Sequence, residues 1–305
     1  MKIANNILEL IDKTPLVRLN KIGVGNSEIL LKLESFNPND SVKDRIAISM
    51  IEDAEKRDIL NQDTLIIEAT SGNTGIGLAM VAAVKGYRLI LAMSETMGIE
   101  RRKYLTSFGV EIVLTEGSKG MKGALEKAKE IHAENVNSFM PLQFENLANP
   151  KYHEDTTAQE IWNDTDGTVD IIVTGVGTDG TISDVAKKFK SLKPSVKVYA
   201  VEPKELPVLS GGKADPHKIQ GIGAGFIPKT YSPELVDEVL QVNINDTTTT
   251  ARELAKKEGI HSRFSAGAAL FAALEIAQKV ENKKIAAIIP DSGSRYLSTF
   301  LYSPE

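Results

Sequence analysis

Short apolar runs alternate with amphipathic stretches along almost the whole chain. Runs over 29–33, 65–67, 88–92, 111–114, 170–174, 196–201 and 285–289 read as strands. Helical spacing follows over 74–84, 99–108, 121–133, 183–190, 248–258 and 267–280. Another helix opens at Lys43, with Ile46, Ala47, Met50 and Ile51 as its apolar positions. Strand and helix in regular alternation predict an α/β fold of mostly parallel sheets covered on both faces. At 305 residues the chain is long enough for two lobes. The stretch 140–150 is the expected crossing between them, and 209–225 is the longest irregular segment, of a length usually functional or disordered.

Composition narrows the partners. Hydrophobic content of 42% and charged content of 25% suit a globular protein. A net charge of -5 argues against nucleic acid. The absence of cysteine removes disulfides and any thiol nucleophile. No run approaches the ~20 apolar residues that span a bilayer. Glu9 and Asp12 interrupt the N-terminal apolar stretch, which is therefore not expected to be a secretory signal. The expectation is a cytoplasmic protein with no membrane partner and no metal site.

Ligands of open parallel sheets bind beyond the carboxyl ends of strands, and four loops fit that position. The first, Asn37-Pro-Asn-Asp-Ser-Val-Lys-Asp-Arg45, offers Lys43 at the mouth of a helix. An amine placed in a cleft can lose its proton and attack a carbonyl; a solvated lysine is the plain alternative. The second, Thr70-Ser-Gly-Asn-Thr74, offers hydroxyls, an amide and backbone N–H groups to a carboxylate, or else is a turn with a Thr or Asn helix cap. The third, Gly175-Val-Gly-Thr-Asp-Gly-Thr181, can curl its N–H groups around a phosphate. It also matches GxGxxG, and Glu202 lies about 20 residues beyond, as in a dinucleotide site. The fourth, Pro290-Asp-Ser-Gly-Ser-Arg295, places Ser292 to bond a ring nitrogen. An amine, a phosphate cradle, a carboxylate cradle and a neutral ring partner together meet the needs of pyridoxal 5'-phosphate with an amino-acid substrate. NAD would leave Lys43 and the Thr70 loop without a task.

The chain resembles the fold-type II pyridoxal-phosphate enzymes, and within them the cysteine synthases (O-acetylserine sulfhydrylases). The resemblance runs from Lys13-Thr-Pro-Leu-Val-Arg-Leu19 to Asp291-Ser-Gly-Ser-Arg-Tyr-Leu-Ser-Thr299. Its most specific stretches are Ser41-Val-Lys-Asp-Arg45, Thr70-Ser-Gly-Asn-Thr-Gly75, Glu95-Thr-Met-Gly-Ile-Glu-Arg-Arg102 and His217-Lys-Ile-Gln-Gly-Ile-Gly-Ala-Gly225. It implies a tryptophan synthase beta-like fold. The smaller lobe would span 35–146 with a mobile, substrate-closing part, and the larger 1–34 plus 147–305.

The resemblance also implies roles. Lys43 would hold the cofactor as an imine and move the substrate α-proton. Thr70, Ser71, Asn73, Thr74 and Gln143 would hold the substrate carboxylate, with Asn73 also beside the ring hydroxyl. Gly177, Thr178, Gly180 and Thr181 would take the phosphate, and Ser292 would face the pyridine nitrogen. Gly221, Gly223 and Ala224 would border the substrate's far end. The implied reaction is β-replacement: acetate leaves O-acetyl-L-serine, and sulfide adds to the resulting aminoacrylate to give L-cysteine. Alternatives are a related β-replacement or cysteine-consuming enzyme that releases hydrogen sulfide (cystathionine or cyanoalanine synthase-like), an NAD-dependent dehydrogenase, or a non-catalytic relative. The implied partners are an amino acid, sulfide or another nucleophile, a second copy in a homodimer, and the tail of a serine acetyltransferase.

Three positions depart from the family pattern. Asp179 stands in the phosphate cradle in place of glycine. A carboxylate ~6 Å from a phosphate would be repelled by roughly 3 kcal/mol per unit charge, so Asp179 is expected to turn to solvent and cap the next helix; a contact such as a substrate amine is the alternative. Arg263-Phe-Ser-Ala-Gly267 replaces Gly-Ile-Ser-Ser-Gly. Arg263 and Phe264 either reshape the pocket or point into packing or solvent. Ala69 replaces a proline, with little consequence expected.

Overall fold

A computed structural model describes residues 3–23, 25–70, 72–297 and 299–303. In chain order the strands are β1 (Leu16–Arg18), β2 (Glu28–Leu33), β3 (Leu65–Ala69), β4 (Arg88–Ser94), β5 (Glu111–Thr115), β6 (Ser138–Phe139), β7 (Ile171–Gly175), β8 (Lys197–Pro203), β9 (Glu238–Val242) and β10 (Lys284–Ile289). The helices are α1 (Lys43–Lys56), α2 (Asn73–Lys85), α3 (Ile99–Thr106), α4 (Gly120–Glu134), α5 (Ala148–Asp155), α6 (Thr157–Asp164), α7 (Gly180–Leu192), α8 (Ile244–Glu253) and α9 (Phe264–Ala277). The chain divides into two compact units, 1–11 with 43–149 and 12–42 with 150–305. One boundary falls inside the expected 140–150 crossing. Residues 1–11, placed with the larger lobe by the sequence, cluster with the smaller unit, and 35–42 with the larger.

The smaller unit holds a parallel sheet in the order β5-β4-β3-β6. Leu65, Ile67, Ala69, Ile90 and Ala92 of its central strands pack with Ala124, Ala128 and Ile131 of α4. β3 is buried on both faces, which explains its near-continuous apolar run. α1 buries Ile46, Ala47, Met50 and Ile51, as the spacing predicts. It meets α2 so closely that a Cβ on Gly77 would lie 2.9 Å from the Lys43 carbonyl oxygen and from Ala47 Cβ.

The larger unit holds a six-stranded sheet in the order β1-β2-β10-β7-β8-β9, parallel except for β1 against β2. One face packs on α9, whose buried residues run all around the helix. The other packs on α6 and α7, where Ile182, Val185, Ala186 and Phe189 form one stripe and Trp162 meets Phe189 edge-on at 5.7 Å. α9 starts at Phe264, three residues before the sequence places it, because an all-apolar helix has no stripe to mark its first turn. The helix expected over 248–258 is α8 followed by a π-helical turn, Leu254–Glu258. α8 begins early because the Asn243 side chain accepts from the Asp246 N–H and caps it. No helix or strand occupies 209–225.

Candidate active site

In the smaller unit, Lys43 opens α1 and is partly accessible. The Gly77 contact packs its backbone one helical turn beyond Asn73 on α2. Thr70 follows β3, and its Oγ1 accepts from the Gly72 N–H at 3.2 Å. Gly72 is the N-cap of α2, and among the described residues no side chain caps that helix. The expected alternative of a Thr or Asn cap is therefore not what the chain builds. An uncapped first turn directs N–H groups and the positive end of the helix dipole at an anion. Thr74 Oγ1 donates to Gln143 Oε1 at 2.6 Å, and Asn149 Nδ2 donates to the Gln143 carbonyl at 2.8 Å. Thr70, Asn73, Thr74 and Gln143 are all buried. Ser71 lies outside the described residues.

Glu68 is not singled out by the sequence reading, although a lone acid in the apolar run Leu65–Ala69 is the signal that could have found it. Its Oε1 accepts from the Ala69 N–H at 2.9 Å, and the carboxylate also accepts from the backbone of Leu142 and Gln143. Leu142 sits in the left-handed region at φ 53. Glu68 thus ties β3 to the backbone that presents Gln143. Burial pushes its carboxyl up to about 7.

In the larger unit, β7 runs into the loop that starts α7 at Gly180, so Gly180 and Thr181 offer first-turn N–H groups. Thr178 is buried, and Thr181 Oγ1 lies 3.4 Å from His153 Nε2. Gly177 has no room for a side chain, since a Cβ would stand 2.5 Å from the Gly221 carbonyl oxygen. The Gly223 N–H donates to the Val176 carbonyl at 2.9 Å. The cradle and the 221–224 segment are therefore stitched together.

Asp179 corrects an expectation. It does not turn to solvent: it is 2% exposed, in the left-handed region at φ 72, and its side chain does not cap α7. Ser183 Oγ donates to its carboxylate, and the Ser232 N–H donates to that Ser183 oxygen. Burial raises its carboxyl to about 7. The Ser183 hydroxyl thus engages the carboxylate. Glu202, the acid of the dinucleotide reading, is also committed: it accepts from Leu209 N, Ser210 N and Ser210 Oγ at 2.8, 3.2 and 2.6 Å.

Ser292 is partly accessible; its Oγ donates to Ser294 Oγ at 2.9 Å and accepts from the Ser294 N–H at 3.1 Å. Of the two bulky departures, Phe264 enters the core, its ring 5.0 Å from that of Phe300. Arg263 is buried against Gly221 and Asp291. Each unit thus carries half of the expected chemistry. The smaller has Lys43, whose backbone packs on α2, and a helix start with no side-chain cap among the described residues; the larger has a glycine-lined cradle at a helix start and a hydroxyl after β10. A cradle in which Cβ atoms would collide, with its one carboxylate engaged by the Ser183 hydroxyl, fits the phosphate of pyridoxal phosphate.

The sequence profile of the family described as "Pyridoxal-phosphate dependent enzyme" matches residues 7–291. A cysteine synthase of Buchnera aphidicola subsp. Acyrthosiphon pisum is 53% identical over 304 residues, 96% of this chain and 96% of that one. The crystal structure of a cysteine synthase from Entamoeba histolytica is similar at a TM-score of 0.97 and 46% identity, over 100% of this chain and 92% of that one. That of a hydrogen sulfide-producing enzyme from Fusobacterium nucleatum is similar at 0.94 and 46% identity, over 97% and 99%.

Proposed function

The chain belongs to the pyridoxal-phosphate dependent enzymes, and from that premise we propose that it makes L-cysteine from O-acetyl-L-serine and sulfide. The observation that carries the proposal is the α2 start. There a helix with no side-chain cap among the described residues, with Thr74 bonded to Gln143, lies against the Lys43 turn of α1. An anion cradle beside an amine is what an α-amino acid losing its α-proton needs.

When bound, pyridoxal 5'-phosphate supplies a conjugated ring that draws electrons from the substrate's α-carbon. Lys43 Nζ is assigned to hold the cofactor's aldehyde carbon and then to carry the α-proton. Thr70, Ser71, Asn73, Thr74 and Gln143 hold the carboxylate and so fix the direction of the Cα–H bond. Gly177, Thr178, Gly180 and Thr181 bind the phosphate. The Ser292 hydroxyl would face the ring nitrogen and, carrying no full charge, would temper the ring's pull. Gly221, Gly223 and Ala224 border the side chain that leaves. The proposal extends to a cytoplasmic homodimer, and to the tail of a serine acetyltransferase as a partner.

A second reading is supported by the likeness to the hydrogen sulfide-producing enzyme: cysteine as substrate, with sulfide released. One assay separates the two. The cofactor-loaded protein, given O-acetylserine and sulfide, is expected to form cysteine, and Lys43→Ala to form none while keeping its fold. Sulfide release from cysteine, with no cysteine made from O-acetylserine, would replace the first reading by the second.

A further inference from the structure

Arg263 brings a guanidinium to a place where the family pattern has glycine. Its side chain is only 9% exposed. Nε donates to Ser265 Oγ at 3.1 Å and lies 2.8 Å from Asp291 Oδ1. The Asp291 contact is ionic and not a linear hydrogen bond, because the single Nε proton goes to Ser265. Nη1 donates to the Tyr296 hydroxyl, and the Tyr296 ring centroid is 5.2 Å from Cζ. The third nitrogen, Nη2, meets the turn at Gly221 (φ +100), where a Cβ would overlap it. Among the described residues no acceptor bonds Nη2. The group is therefore a planar donor, fixed by Ser265, Asp291 and Tyr296, with one terminal nitrogen left for a ligand.

Two consequences follow at Gly221. The guanidinium fills room that a glycine at 263 would leave open, so an extended second substrate loses space. Nη2 offers a charge-assisted hydrogen bond to an anion. We propose that Arg263 is a specificity-determining residue that selects a compact anionic sulfur nucleophile over extended thiols. The inference rests on the reading of the 221–224 segment as the border of the substrate's far end.

The test compares kcat/KM for hydrosulfide and for homocysteine, with O-acetylserine as the fixed partner. Arg263→Gly is expected to lower the hydrosulfide value by about 10- to 100-fold, the worth of one charge-assisted hydrogen bond, and to raise the homocysteine value. Arg263→Gln keeps much of the bulk without the charge, so it is expected to lose hydrosulfide without gaining homocysteine. If losing the cation beside Asp291 keeps Arg263→Gly from folding, Arg263→Gly with Asp291→Asn supplies the same comparison. Calorimetric titration of the holoenzyme with inorganic thiosulfate is the readout independent of turnover. Wild type is expected to bind it at least about tenfold more tightly than Arg263→Gln. Equal thiosulfate affinity, or a nucleophile ratio unchanged in the folded glycine variant, overturns the assignment of Arg263. A wild type that makes no cysteine overturns the proposed function instead, and the thiosulfate titration still decides on Arg263.

Discussion

Ser183 Oγ donates to the carboxylate of Asp179, 2.9 Å from Oδ1 and 2.8 Å from Oδ2, one turn into the helix that the aspartate precedes. The same Ser183 oxygen accepts from the Ser232 N–H at 3.0 Å, and Thr230 Oγ1 donates to the Thr178 carbonyl at 3.2 Å. The acid inside the cradle is thus wired to the 230–232 segment. A glycine at this site would fit the left-handed backbone without these bonds.

Burial of this acid makes stability fall as pH rises. Burial raises the Asp179 carboxyl from its ordinary 3.8 to about 7. The folded chain therefore binds that proton more tightly than the unfolded chain. The stabilisation is full below about pH 4 and is lost as pH climbs through about 7. Glu68, also raised to about 7 by burial, acts in the same direction. Melting of the cofactor-free protein from pH 5 to 8.5 is expected to show a decline. Asp179→Asn and Glu68→Gln should each remove part of it, by up to roughly 3–4 kcal/mol each. A wild-type curve that rises across this range would contradict both assignments.

Glu68 also positions the carboxylate cradle without belonging to it. It takes the N–H groups of Ala69, Leu142 and Gln143. Glu68→Ala leaves those buried donors unpaired, at about 1–3 kcal/mol for each that finds no water. Gln143 then keeps only the Asn149 bond to its carbonyl as a backbone anchor. The expected kinetic result is a KM for the amino acid that rises more than kcat falls, with Glu68→Gln close to wild type. Equal behaviour of the two variants would show that the acceptor is idle.

The Thr74–Gln143 bond makes a finer test of the cradle. Thr74→Val keeps the shape and removes the hydroxyl, so Gln143 Oε1 loses its 2.6 Å donor. KM for O-acetylserine is expected to rise about tenfold, the effect of one hydrogen bond of ~1.5 kcal/mol. Thr74→Ser retains the hydroxyl and should stay near wild type. A valine variant that binds substrate normally would place the carboxylate elsewhere.

Much of this is legible in the sequence alone. The apolar runs locate the buried parallel strands, since strands covered on both faces must be apolar throughout, as Ile285–Ile289 of β10 are. Gly177 and Gly221 read as positions bordering a ligand, and they meet each other closely. What escapes is decided by long-range partners. Asp179 reads as a solvent-facing cap because the sequence near it shows no reason for burial; Ser232, about 50 residues on, braces the Ser183 hydroxyl that engages it. Arg263 reads as ambiguous because its anchors, Asp291 and Tyr296, lie about 30 residues away. α5 and α6 are not singled out by the sequence reading.

Gly77 escapes for the same reason, and it yields the sharpest prediction about geometry. In isolation, glycine to alanine within a helix gains about 1 kcal/mol. Here the added methyl would sit 2.9 Å from the Lys43 carbonyl oxygen and from Ala47 Cβ. Neither atom is the end of a flexible side chain, so relief requires moving α1 away from α2. Overpacking of that kind costs about 1–3 kcal/mol, which outweighs the helix gain. The net effect of Gly77→Ala is a loss on the order of 1 kcal/mol. The more telling effect is on Lys43, which opens α1 at the point of contact. An amine displaced from the α2 start loses alignment with the proton it moves, so kcat is expected to drop by at least about tenfold while cofactor phosphate binding is retained. A Gly77→Ala protein that melts higher than wild type with kcat unchanged would show that α1 is not held against α2 as described.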